Sequence, residues 1–184
     1  MPRQNEIAAQ AIIIMGVSGC GKSTLAAALA EELACPFFEG DSFHSAENIA
    51  RMRGGVPLDD MDRWPWLDRL GAAVACGIHA SGLTVAACSA LKRTYRDRLR
   101  QAIGAPVSFV LLEANREELT RRLASRSDHY MPASLLDSQL ATLQIPASDE
   151  RALTLDSTKP PAVLTMQVAE WLAQSEPKRV MRRD

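Results

Sequence analysis

The chain has 184 residues, 47% of them hydrophobic, enough for one domain with a sizeable core. Its 21 Lys and Arg against 22 Asp and Glu give a net charge of -1, which argues against a nucleic acid partner, because proteins that neutralise many phosphates are basic. The first apolar run is too short for a signal segment or a membrane span, and the four cysteines lack zinc-site spacing, so their thiols point to a reducing cytoplasm.

After a polar start, the Ile-rich run over 11–15 predicts a buried parallel strand. Gly16-Val17-Ser18-Gly19-Cys20-Gly21-Lys22-Ser23 then fits G-x-x-x-x-G-K-[ST], a loop whose backbone N–H groups wrap the phosphates of a nucleotide. Lys22 supplies a mobile charge for the outer phosphates, Ser23 a hydroxyl for Mg²⁺, and Thr24 follows them in the same turn. Leu25, Ala28, Leu29 and Leu33 recur at helical spacing, so the helix dipole points at the same anion. Strand, glycine loop and helix together form the context the motif requires.

Residues 36–39 predict a short second strand ending in Gly40-Asp41, expected to lie directly beside the first strand. Residues 44–60 are polar and broken by Gly and Pro, with one short helix over 46–52. Asp62 is a possible cap for the next helix, with Pro65 in its first turn and Leu67, Leu70, Val74 and Ile78 as the buried stripe. A third strand over 83–88 leads to a helix over 92–103 that turns Tyr95, Leu99 and Ile103 inward. The fourth strand covers 106–112, and Asn115 with Glu118 marks the start of a helix burying Leu119 and Leu123.

Residues 126–132 form a polar break, with 127–133 as a lid loop, and Ser134 begins a helix carrying Leu136, Leu140 and Leu143. A fifth strand over 152–155 and a last helix striped by Leu164, Val168, Trp171 and Leu172 complete the core, about 10–174 of a single domain 1–184. The basic tail, 175–184, reads as a solvated end. This alternation predicts an α/β fold of the P-loop NTPase type: a parallel five-stranded sheet with helices on both faces and a lid segment. Such sheets collect ligands at the carboxyl ends of their strands, which gathers the phosphate loop, Asp41, residues 89–92 and the Arg126 segment around one crevice.

Phosphoryl transfer needs positioning, cations that follow the moving charge, and a residue that orients the attacking oxygen. Lys22, Asp41 and Arg126 are the catalytic candidates: the cation on the phosphates, the carboxylate at the acceptor hydroxyl, and the cation on a closing segment. Arg122 stands beside Arg126 as a second nucleotide contact. His44, Arg63, Lys92, Arg96 and His129 join Asp41 as candidates for substrate, since an anionic substrate needs a cation of its own. Trp66 reads as packing its helix.

The sequence resembles the gluconate kinase family of small P-loop metabolite kinases, and the resemblance goes well beyond the loop. It takes in Gly40-Asp41 with His44, Asn48 and Met52, then Gly55-Val56-Pro57-Leu58 with Asp60, Asp62, Arg63 and Pro65-Trp66-Leu67. Cys88-Ser89-Ala90-Leu91-Lys92 with Tyr95-Arg96-Asp97 and Leu99-Arg100 continues it. Arg122-Leu123, Arg126 and His129 resemble the family's lid, and Ser138-Gln139, Leu143 and Pro146 the segment after it. The departures are Ser45, where a proline is usual, and Asp128-His129-Tyr130 in place of Gly-His-Phe. The resemblance implies transfer from ATP to the 6-hydroxyl of D-gluconate, dependence on Mg²⁺, and a homodimer. Rival readings are a P-loop kinase of another small hydroxy acid (a shikimate-like acid or a different aldonate) and a nucleotide-binding switch. The Asp-Gly-Phe-Pro-Arg of nucleoside monophosphate kinases and the Asn-Lys-x-Asp of GTP switches are both missing from the sequence.

Overall fold

The computed structural model of the chain describes residues 9–125 and 133–174. Five parallel strands, β1 (Gln10–Met15), β2 (Phe37–Glu39), β3 (Leu83–Ala87), β4 (Val107–Glu113) and β5 (Ala152–Asp156), form one sheet in the order β2-β3-β1-β4-β5. β1 sits between β3 and β4, with Ile13 opposite Ala86 on one side and Phe109 on the other. Every residue of β1 is buried, as a strand covered on both faces requires.

Alternation along β1 divides the core in two. Ile12 and Ile14 face α1 (Lys22–Glu32), α5 (Arg116–Ala124), α6 (Ala133–Thr142) and α7 (Pro161–Gln174), where Leu29, Leu119, Leu136 and Val168 close the layer. Ala11, Ile13 and Met15 face α3 (Asp60–Ser81) and α4 (Arg93–Ile103), packing on Trp66, Leu70, Val74, Tyr95 and Leu99. A small helix, α2 (Ala46–Arg53), lies between β2 and α3 and is capped by Ser45, whose side chain accepts from the Asn48 N–H.

Two sequence expectations are corrected here. The first is the place of the Asp41 strand, which is separated from β1 by β3. β3 is buried at all five positions, so it takes the interior slot with hydrogen bonds on both edges. β2 has three half-buried residues and goes to the edge, where a short strand exposes little unpaired backbone.

The second concerns α3, which starts earlier than Pro65 suggested. Asp59 is its cap: its side chain accepts from the Asp62 N–H, and the Asp62 side chain accepts from the Asp59 N–H in return. Pro65 is therefore inside the helix, and the buried run Trp66, Leu67, Leu70, Val74 and Ile78 carries the helix past it.

Candidate active site

The phosphate loop turns between β1 and α1. Gly16 has φ 137°, and a Cβ there would stand 2.7 Å from the Leu112 carbonyl oxygen and 2.8 Å from Cys20 Sγ, so only glycine fits. The α1 N-terminus has no side-chain cap and no acidic residue in its first turn. Its first N–H groups and dipole are thus left for an anion. Lys22 Nζ donates to the Val17 carbonyl at 3.1 Å, folded over its own loop, while Ser23 and Thr24 lie exposed in the first helical turn. Val17 and Cys20 are buried, so they offer a nucleotide their backbone.

A cleft of about 410 Å³ opens beside this loop, lined by Gly19, Cys20, Gly21, Thr24 and Arg122 and closed by Ser157, Thr158, Lys159 and Pro160. Arg122 spans it: Nη2 donates to the Ser157 carbonyl at 2.8 Å, Nη1 reaches Ser157 Oγ at 3.3 Å, and Nε is paired with Glu118. The sequence reading found Arg122 and missed residues 157–160. Their signal was available, since a polar turn rich in Ser, Thr, Lys and Pro follows the end of the fifth strand.

Across the end of β3 lies the turn that carries Asp41. Gly40 is packed so tightly that a Cβ would fall 2.2 Å from the Ala87 carbonyl oxygen, which draws the end of β2 onto β3. Trp66 Nε1 donates to the Gly40 carbonyl at 2.7 Å, and Arg69 donates twice to the Phe43 carbonyl, fixing the 3₁₀ turn Gly40–Phe43 that exposes Asp41. Trp66 is buried and does pack its helix, with the His44 ring stacked on it at 4.1 Å.

Burial chiefly, with Arg63 and Arg69 adding to it and Asp41 opposing, lowers the His44 pKa to about 4, so this imidazole is neutral near pH 7. Its Nδ1 is buried and has no hydrogen-bond partner among the described residues. Cys88, at the end of β3, shows how closely the charges converge. Burial chiefly pushes its thiol up to about 12, and it also feels Asp41, Lys22 and Arg63. The phosphate loop and the Asp41 turn thus follow the same ends of parallel strands, with β3 and Cys88 between them.

Next to them a second cleft, about 460 Å³, is lined by Leu58, Asp60, Arg63, Lys92, Tyr95 and Ser138. Arg63 and Lys92 share the Tyr95 ring, at 5.4 and 5.3 Å from its centroid. Lys92 is already engaged by Asp60 at 2.7 Å, and that bond raises its pKa. Among the described residues Arg63 donates through its Nε alone, to the Leu58 carbonyl at 3.3 Å, which leaves more of its guanidinium for an anion.

Arg96 is not a substrate ligand. It is fully buried, paired with Glu150 through Nε and Nη2 at 2.7 Å each, and its Nη1 donates to the carbonyls of Ala90, Leu91 and Gln144. Ala90 has φ 44°, a left-handed conformation costing a non-glycine residue about 1–2 kcal/mol. Arg96 thus clamps the strained turn that aims Lys92 into the cleft. Its place between Tyr95 and Leu99 hid this, because the partner carboxylate lies 54 residues further along the chain. The expectations for Arg126, His129 and the 127–133 lid fall outside the described residues, apart from the start of α6 at Ala133, and so does the 175–184 tail.

Comparison with known proteins agrees with this fold. A family described as an AAA domain matches residues 12–146. The gluconokinase of Gluconobacter oxydans is 46% identical over 157 residues, covering 83% of this chain and 85% of that protein. Among solved structures, a gluconokinase from Sinorhizobium meliloti superposes with a TM-score of 0.80 at 42% identity, covering 90% of this chain and 93% of that one. A sugar kinase from Janibacter superposes with a TM-score of 0.82 at 45% identity, covering 90% and 95%.

Proposed function

The chain belongs to the gluconokinase family of ATP-dependent sugar-acid kinases, and we propose that it moves the γ-phosphate of ATP to the 6-hydroxyl of D-gluconate, giving 6-phosphogluconate and ADP. The observation that carries this reading is what stands at the carboxyl ends of the parallel strands. An uncapped phosphate loop with Lys22 follows β1, Asp41 follows β2, and the cleft that holds Arg63 and Lys92, beside Asp59 and Asp60, opens where the chain leaves β3.

In this reading the nucleotide lies over the loop and between Arg122 and the 157–160 turn. Lys22 turns from the Val17 carbonyl to the outer phosphates as charge grows there. Arg63, supported by Lys92, holds the gluconate carboxylate. His44, kept neutral and stacked on Trp66, stands beside Asp41 as a candidate for a substrate hydroxyl.

Asp41 accepts a hydrogen bond from the 6-hydroxyl and lines its oxygen up with the γ-phosphorus. As the new O–P bond forms and the bond to ADP breaks, the hydroxyl proton passes to Asp41 late, because little proton has moved in a loose transition state. No group of three or more His, Cys, Asp or Glu that could hold a metal occurs among the described residues. That fits a Mg²⁺ that arrives on the phosphates and takes a single protein hydroxyl, Ser23, from the chain. The ion would neutralise phosphate charge. The role of Arg126, a cation on the transferred phosphoryl group, rests on its sequence block alone.

A homodimer in the cytoplasm completes the proposal. All four cysteines are free thiols, and no helix of the described residues is long and apolar enough to cross a membrane.

Asp41→Asn tests the acceptor assignment. It keeps the size of the side chain and can still bond a hydroxyl, but it loses charge and basicity. We expect a fall in kcat of about a hundredfold or more with ATP affinity nearly unchanged. Full recovery of the rate at high Mg²⁺ would instead make Asp41 a holder of metal-bound water.

A further inference from the structure

We infer that Gln139 is the positioning residue through which the phosphate loop and the acceptor cleft act on each other. The inference rests on the kinase reading above and adds a residue to which that reading gives no role. Gln139 Oε1 accepts from the Ser18 N–H at 2.7 Å, a bond between residues 121 apart in the chain. The amide it takes belongs to the stretch of backbone that holds phosphates.

The same helix face reaches the acceptor side. Gln139 and Ser138 line a small crevice with Leu58 and Arg63, and Ser138 and Thr142 wall the Arg63–Lys92 cleft itself. Just past its end, α6 is tied to the turn that aims Lys92, since the Gln144 N–H donates to the Leu91 carbonyl at 2.8 Å and Gln144 Oε1 accepts from the Arg93 N–H. Leu135 and Leu136 anchor the helix in the core, so it is held as one piece.

A shift of α6 toward or away from a ligand in the acceptor cleft therefore alters how the Ser18 amide is held. A change of loop conformation on nucleotide binding pulls on α6 in the same way. The side chain type suits the task, because a neutral amide oxygen takes the loop N–H without setting a negative charge beside phosphates, as a carboxylate would.

Linkage makes the coupling reciprocal: gluconate tightens nucleotide binding by the same factor as the nucleotide tightens gluconate binding. One hydrogen bond of ordinary strength corresponds to a factor of about five.

The test is calorimetric titration of a non-hydrolysable ATP analogue with and without gluconate, and of gluconate with and without the analogue. It is run on wild type, Gln139→Met and Gln139→Glu. Wild type is expected to show a coupling of about fivefold in both directions. Gln139→Met fills the same volume without an acceptor, and its coupling is expected to fall to near one with the thermal midpoint held. Gln139→Glu keeps an acceptor but is expected to weaken the analogue by about tenfold or more, as a carboxylate repels phosphate. That second variant decides the matter if the first does not fold.

Coupling equal to wild type in Gln139→Met, unchanged analogue binding in Gln139→Glu, or no coupling in wild type would each overturn the inference and leave the kinase reading standing. Failure of wild type to bind gluconate at all would remove both.

Discussion

Replacing Glu150 with Gln leaves the Arg96 guanidinium buried against a neutral amide. The wild-type carboxyl is held from an ordinary 4.5 down to about 2, first by its bond from Arg96 and, against the opposing effect of burial, also by Arg100 and the Ala147 N–H. That lowering corresponds to about 3 kcal/mol of stability at neutral pH. It agrees with the roughly 3–5 kcal/mol lost when one partner of a buried ion pair is removed. Because folding lowers this pKa, the stabilisation is complete above about 4.5 and is lost as pH falls toward 2, with about 2 kcal/mol gone by pH 3. Urea unfolding followed by tryptophan fluorescence should therefore find Glu150→Gln about 3 kcal/mol less stable than wild type at pH 7, and only about 1 kcal/mol less stable at pH 3. A difference under about 1 kcal/mol at pH 7, or one that does not shrink on acidification, would refute the buried-clamp account of Arg96. If Arg96 instead bound substrate, the loss would appear in the KM for gluconate.

Other expectations concern the site directly. Lys22→Ala removes the one loop cation near the outer phosphates, so kcat should fall about a hundredfold or more while urea unfolding stays close to wild type; steady-state kinetics on the folded variant checks this. Arg63→Ala should raise the KM for gluconate by about tenfold or more with the KM for ATP unchanged. Lys92→Ala should raise it less, because Lys92 is already shared with Asp60. Equal effects, or none from either, would move the carboxylate elsewhere.

The strands and helices were legible because each buried strand is a short apolar run and each helix repeats its apolar residues every three or four positions. Asn115 with Glu118 even gave a correct cap. Strand order was not legible in the same way. Nothing local in 37–39 says that a strand over 83–87 will slip in beside β1, and only comparing how apolar the two strands are ranks them for the interior. Pro65 misled because proline usually opens a helix, whereas here the apolar stripe behind it outweighs one lost hydrogen bond.

At the site, the loop, Asp41, His44, Arg63 and Lys92 could be put forward as candidates because residue type and local spacing suggest their chemistry. Arg96 could not be judged, because what removes it from the cleft is Glu150, far along the chain. Gln139 carries no local signal for the same reason: its bond from the Ser18 N–H spans 121 residues of chain.

The central claim is that this fold phosphorylates gluconate. Its most direct measurement is ADP release by the purified chain with ATP and Mg²⁺, with and without gluconate, across a panel of other aldonates and shikimate, and with the product's phosphate located by ³¹P–¹H NMR. The account predicts turnover that depends on gluconate and a phosphate on the C6 oxygen. ATP hydrolysis indifferent to gluconate, a higher kcat/KM for another acid, or a phosphate on any other oxygen would contradict it.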